Sequence, residues 1–164
     1  MKYSEYLECA RKHTCVLEQF NNTQPADPRV LLEMFYLSGY ILEGVVVYLS
    51  YKLNDWDADR DVQNEDQDFS LRTKLGFKHG NGVKYAVAGH NYRHMKDLIS
   101  NHPDCQKLPY VGPDGKIDQD ISYLLDNWRP HVRYYTYDGF KLSKDKIKRL
   151  IDTCKELVKL TGAI

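Results

Sequence analysis

Apolar and small residues recur at three- and four-residue steps at the start of the chain: Tyr3, Tyr6, Leu7, Ala10, Thr14, Leu17 and Phe20. That period predicts an amphipathic helix over residues 3–20. The polar stretch Asn21-Asn22-Thr23-Gln24-Pro25-Ala26 interrupts it. Asp27 then fits an N-cap, with Pro28 at the first helical position. From Pro28 to about Asn54 the apolar residues fall on nearly every side, which predicts a helix roughly 40 Å long and surrounded by neighbours. Val30 to Leu49 is long enough to span a bilayer. Glu33 and Glu43 interrupt it at a cost that hydrocarbon would not repay, so a buried core helix is expected and no membrane.

Past residue 54 the pattern changes. Residues 54–82 read as an irregular charged loop, acidic first and basic later, and Val83 to Val87 fits either a short strand or a further turn of helix. Gly89-His90 opens the next helical pattern, with Tyr92, Met95, Leu98 and Ile99 on one face and His102-Pro103 as its stop. Pro113-Asp114-Gly115 between apolar flanks predicts a small excursion or hairpin. Asp118 can cap a helix carrying Ile121, Leu124, Leu125 and Trp128, which Pro130 should end or kink. Ser143 can cap the last helix, where Ile147, Leu150, Ile151, Cys154, Leu157 and Val158 share a face and Gly162 is the stop. The expectation is a single all-α domain over 1–164, an up-and-down bundle of about five helices with long loops.

Composition narrows the function classes without naming one. The 164 residues carry 23 Lys and Arg against 23 Asp and Glu, and 42% are hydrophobic. This is the profile of a globular domain and excludes a disordered chain or a generic polycation. The neutrality is a cancellation between regions. Residues 55–68 hold seven acids and one arginine, whereas residues 70–107 are net positive by five. No basic and apolar leader is visible at Met1. Cys9, Cys15, Cys105 and Cys154 form no C-x-x-C pair, which points to reduced thiols in a cytoplasmic protein.

Several residues are candidates for chemistry. Glu43 lies in an apolar helix, four residues after Gly39, and a buried carboxylate there needs a donor or cation. His90, at a helix start, is suited to proton transfer near pH 7. Arg133 and Tyr134 follow Trp128 and Pro130 in an aromatic and basic stretch suited to a nucleotide or RNA phosphate, or to packing with an Arg133–Glu43 salt bridge. His90 with His94, and Cys9 with His13, have a spacing that metals use, but no third ligand accompanies either pair, so no metal is expected. An EF-hand loop fails from both starts. From Asp55, positions six and twelve hold Arg60 and Asp66; from Asp57 they hold Val62 and Asp68, which leaves a solvated acidic loop.

The order Gly39-Tyr40-x-x-Glu43, then Gly89-His90, then Trp128 with Arg133-Tyr134, resembles the HEPN superfamily, named for higher-eukaryote and prokaryote nucleotide-binding domains. The resemblance spans roughly residues 30–158. It implies an up-and-down helical bundle, often a homodimer, and one of two activities. Many members resemble metal-independent endoribonucleases of toxin–antitoxin and abortive-infection defence systems, with an arginine, four to six residues, then a histidine. The formal match here is Arg72 with His79, and His90 acting with Arg133 is the other pairing. Other members bind a nucleotide or a protein partner, such as an antitoxin or a nucleotidyltransferase. The leading expectation is a protein that binds a nucleotide or RNA phosphate through Glu43, His90, Arg133 and Tyr134, without a cofactor. The alternatives are an endoribonuclease toxin and a non-catalytic interaction module.

Overall fold

The first helix, α1 (Tyr3–Thr23), buries Tyr3, Leu7, Ala10, Thr14 and Leu17, the stripe its periodicity predicts. Thr14 satisfies its buried hydroxyl by donating to the Ala10 carbonyl at 2.8 Å. Phe20 differs, being 39% exposed at the open end of the helix. The chain is described here by a computed structural model covering residues 1–23, 27–52, 56–66, 77–78, 84–85, 118–134 and 142–163.

The second helix, α2 (Pro28–Lys52), begins where the cap signal places it. The Asp27 carboxylate accepts from the Arg29 N–H at 2.9 Å, and the Asp27 carbonyl accepts from the Leu31 N–H at 3.1 Å. Leu31, Phe35, Leu42, Val45 and Leu49 join α1 and later helices in the main core. The bilayer-length apolar stretch is thus largely covered by the protein's own helices. Gly44 sets how close α1 comes. A Cβ there would lie 2.5 Å from the Tyr6 carbonyl oxygen, so this crossing needs a residue without a side chain.

The acidic stretch is more ordered than a solvated loop. Asp61 caps the one-turn helix α3 (Val62–Glu65), accepting from Gln63 N–H at 2.9 Å and Asn64 N–H at 3.0 Å. Val62 is fully buried with Tyr3, Val47 and Tyr51 in a second apolar cluster. The Val62 N–H donates to the Met1 carbonyl, Lys2 pairs with Asp59, and Tyr51 donates to the buried Asp66 at 2.8 Å. The acids therefore serve as a cap, an ion-pair partner and a buried acceptor. A run of single-letter charges does not reveal these roles, because the partners lie on α1 and α2.

The segment Phe77–Lys78 (β1) pairs antiparallel with Lys84–Tyr85 (β2). At residues 84–85 the strand alternative holds. The predicted helix from Gly89 and the Pro113-Asp114-Gly115 excursion lie outside the described residues.

Helix α4 (Gln119–Asn127) is capped by Asp118, which accepts from Asp120 N–H at 3.0 Å and Ile121 N–H at 3.3 Å. It stops at Asn127 because Pro130 disfavours helical backbone just before it. Pro130 itself starts a 3-10 helix, Pro130–Tyr134, with Val132 as its buried residue. The last helix, α5 (Lys144–Thr161), is capped by the Ser143 hydroxyl and buries Ile147, Leu150, Ile151, Cys154, Leu157 and Val158. Arg149 and Lys146 of α5 reach the Asp118 and Asp120 carboxylates at the start of α4. Burial pushes the Asp118 carboxyl up, but the Arg149 bond and the cap N–H groups more than offset this and hold it below the usual range.

The five described α-helices pack on one another as an all-α, up-and-down bundle, with α2 at its centre and α1 and α5 against it. The 3-10 helix sits on α2 as well. That contact brings residues near position 133 to the middle of the chain's most apolar helix.

Candidate functional site

Gly39 makes the site possible. A Cβ at this position would fall 1.8 Å from the Trp128 ring, so only glycine lets the indole lie flush on α2. Trp128 is buried, and its Nε1–H donates to the Tyr36 carbonyl at 3.0 Å. The indole meets Tyr40 edge to face, with centroids 5.9 Å apart. Trp128 directly follows α4 and precedes the 3-10 helix, so it fixes where that short helix leaves the bundle.

Arg133 projects from the 3-10 helix and donates to the Tyr36 hydroxyl at 3.2 Å. The guanidinium also lies over the Tyr134 ring, 4.6 Å from its centroid. Tyr134 is 73% exposed, an unusual position for a large ring. Among the described residues no carboxylate pairs with Arg133, and Glu43 in particular does not, so the salt-bridge alternative is not the arrangement adopted.

The row continues across α2. The Tyr36 and Tyr40 hydroxyls are 2.7 Å apart, and either can be the donor. Their rings meet edge to face at 5.0 Å. Next to Tyr40 is His13 of α1, half-buried, with ring centroids 6.1 Å apart. Tyr134, Arg133, Tyr36, Tyr40 and His13 thus form one continuous row from the 3-10 helix to α1.

Charges tune this row. Burial, reinforced by the Tyr36 hydroxyl and the Glu43 charge, raises the Tyr40 phenol to about 12, although Arg133 pulls the other way. Tyr40 therefore keeps its proton throughout the ordinary pH range. Burial also lowers the pKa of His13, favouring the neutral ring. Glu43 is half-buried on the α2 face that carries Tyr36 and Tyr40. Its charge raises both Tyr40 and Tyr6, in the latter case after burial as the main cause. The Tyr6 hydroxyl also accepts from Gln63 of α3 at 2.7 Å, which ties α1 to the acidic segment.

Of the residues picked out from the sequence, Arg133 and Tyr134 belong to the row, and Glu43 lies beside it. Arg72, His79 and His90 lie outside the described residues. Tyr36 is not among the sequence candidates, Tyr40 enters there only through the Gly39-Tyr40-x-x-Glu43 resemblance, and His13 only beside Cys9 at a metal spacing. In the sequence, Tyr36, Tyr40 and Glu43 at four- and three-residue steps are the visible signal, because those steps give one helix face. No group of three or more metal-type ligands occurs among the described residues, and Cys9 beside His13 is exposed. A cavity of about 520 Å³ between α1 and α5 is lined by Arg11, Lys155 and Lys159, but these cations are paired with Glu8, Glu18 and Glu156. Arg133, in contrast, has no carboxylate partner among the described residues.

No family model matches the chain, and no curated protein or solved structure matches it significantly.

Proposed function

We propose that this helical bundle binds a nucleotide or RNA phosphate at the Arg133 end of the aromatic row. The observation that carries the reading is the state of Arg133: exposed, held in place by a tyrosine hydroxyl, stacked on an exposed tyrosine, and unmatched by any carboxylate among the described residues. A guanidinium held in this way presents its remaining N–H groups to a phosphate at little further entropic cost. The exposed Tyr134 ring beside it offers a stacking face to a base. The resemblance of Gly39-Tyr40-x-x-Glu43, Trp128 and Arg133-Tyr134 to the HEPN superfamily supports the same reading, since some members are nucleotide-binding modules.

The test is Arg133→Ala, read by fluorescence anisotropy with a labelled single-stranded RNA and with a labelled adenine nucleotide. Loss of a charged hydrogen bond to phosphate should weaken binding about tenfold or more. The melting temperature should stay within about one degree, since surface substitutions away from packed features change stability little. Equal affinity in wild type and variant would remove Arg133 from the site.

A further inference from the structure

His13 is the histidine that the row itself supplies. It enters from α1, a different helix from Arg133, and its ring closes the row against Tyr40. The residue is half-buried rather than sealed in the core. A neutral imidazole beside a protonated Tyr40 adds no charge of its own; within the row Arg133 is the charged residue, and the Glu43 carboxylate acts on Tyr40 from beside it. The two ends are joined by two hydroxyls already in contact with each other. A ligand with a phosphate over Tyr36 and Tyr40 would have one cation available at rest and a second that forms when His13 takes a proton.

We propose that His13 is the second polar anchor of this site, gaining a proton as it grips a phosphate group, so that ligand affinity rises as pH falls. This rests on the phosphate-binding reading above. The sign follows from the charges. An anion favours the imidazolium over the neutral ring, so binding raises the His13 pKa from its lowered resting position. Affinity is therefore gained on the acidic side of the His13 titration and lost above it. Other titratable groups lie on the same elements and must be separated from it. Tyr6 and Cys9 lie on α1, Tyr36, Tyr40 and Glu43 on α2, and His131 shares the 3-10 helix with Arg133. Of these, His131 is the other histidine, and its own variant separates it from His13.

The experiment uses the full chain and a labelled single-stranded RNA without terminal phosphates, because terminal phosphates themselves titrate near pH 6. Wild type should bind about tenfold more tightly at about pH 5.5 than at about pH 8, the scale of one added charged contact. His13→Gln should bind with the same affinity at both pH values, whereas His131→Gln should keep the wild-type response. NMR titration of the wild-type His13 ring should show its pKa rising when RNA is added, which a merely packed histidine would not do. A pH response that survives in His13→Gln, or vanishes in His131→Gln, overturns the His13 assignment while leaving Arg133 in place. Binding that is insensitive to Arg133→Ala, or no binding by wild type, overturns the phosphate-binding reading and this inference with it.

Discussion

Trp128→Ala should cost about 3–5 kcal/mol of folding stability in urea titration, the usual range for deleting a large buried aromatic side chain. The indole is among the largest fully buried side chains and touches α2 at Gly39, Tyr36 and Tyr40. Its loss would leave a cavity that the rigid α2 backbone cannot fill by relaxing. Trp128→Phe should cost less, because it keeps a ring in the slot and gives up mainly the N–H bond to Tyr36. The pairing with Gly39 makes the prediction sharper. Gly39→Ala should be strongly destabilising in wild type, where its methyl meets the indole, and much milder in the Trp128→Ala background. A double-mutant cycle measures that difference directly. Additive effects, or a loss below about 1 kcal/mol for Trp128→Ala, would show that the indole does not pin the 3-10 helix.

Gly44→Val should destabilise the protein by about 3 kcal/mol, at the upper end for overpacking a tight contact. The obstruction is the Tyr6 backbone carbonyl, with the Ala10 methyl 3.1 Å from the same point, so no flexible side chain can move aside. Helix α1 must shift as a whole. Thermal melting followed by circular dichroism reads the loss. The shift should reach the site as well, because α1 carries His13. Loosening the His13–Tyr40 contact would rehydrate the imidazole and move its pKa back up toward the ordinary value, which an NMR titration of the variant would detect. A Gly44→Val protein with wild-type stability would show that the close crossing of α1 and α2 is unnecessary.

Much of the bundle was legible in the sequence because its signals are local. Asp27, Asp118 and Ser143 act as caps within three residues of the N–H groups they serve, and Gly162 follows the last helix. The apolar stripes of α1 and α5 follow helical spacing that any single window shows. The site was harder to read because its contacts join distant positions. Arg133 and Tyr36 are 97 residues apart, and the Trp128 bond to Tyr36 spans 92. Tyr36 shares a helix face with Tyr40 and Glu43, but that spacing does not name Trp128 or Arg133 as its partners. Gly39 was the readable clue, since glycine in an apolar helix marks a close approach, but the sequence does not say that Trp128 is what approaches. The acidic stretch hides its contacts for the same reason: the partner of Asp59 lies 57 residues earlier, on Lys2.

The seam between α2 and α5 also bears on the order of assembly. α1 and α2 are joined by a short connection and make extensive contact, so they can form a hairpin early and cheaply. Helix α5 must instead be recruited across a long stretch of chain, its Cys154 thiol coming to rest 4.0 Å from the Ser38 carbonyl, 116 positions away. That thiol is completely enclosed, and burial raises its pKa, so it is inert while α5 is docked. Cys9 and Cys15 are exposed on α1. In native buffer a thiol reagent followed by mass spectrometry should therefore modify those two at once and Cys154 only as fast as α5 peels away. Residue 154 is in effect a chemical clock for the docking of α5.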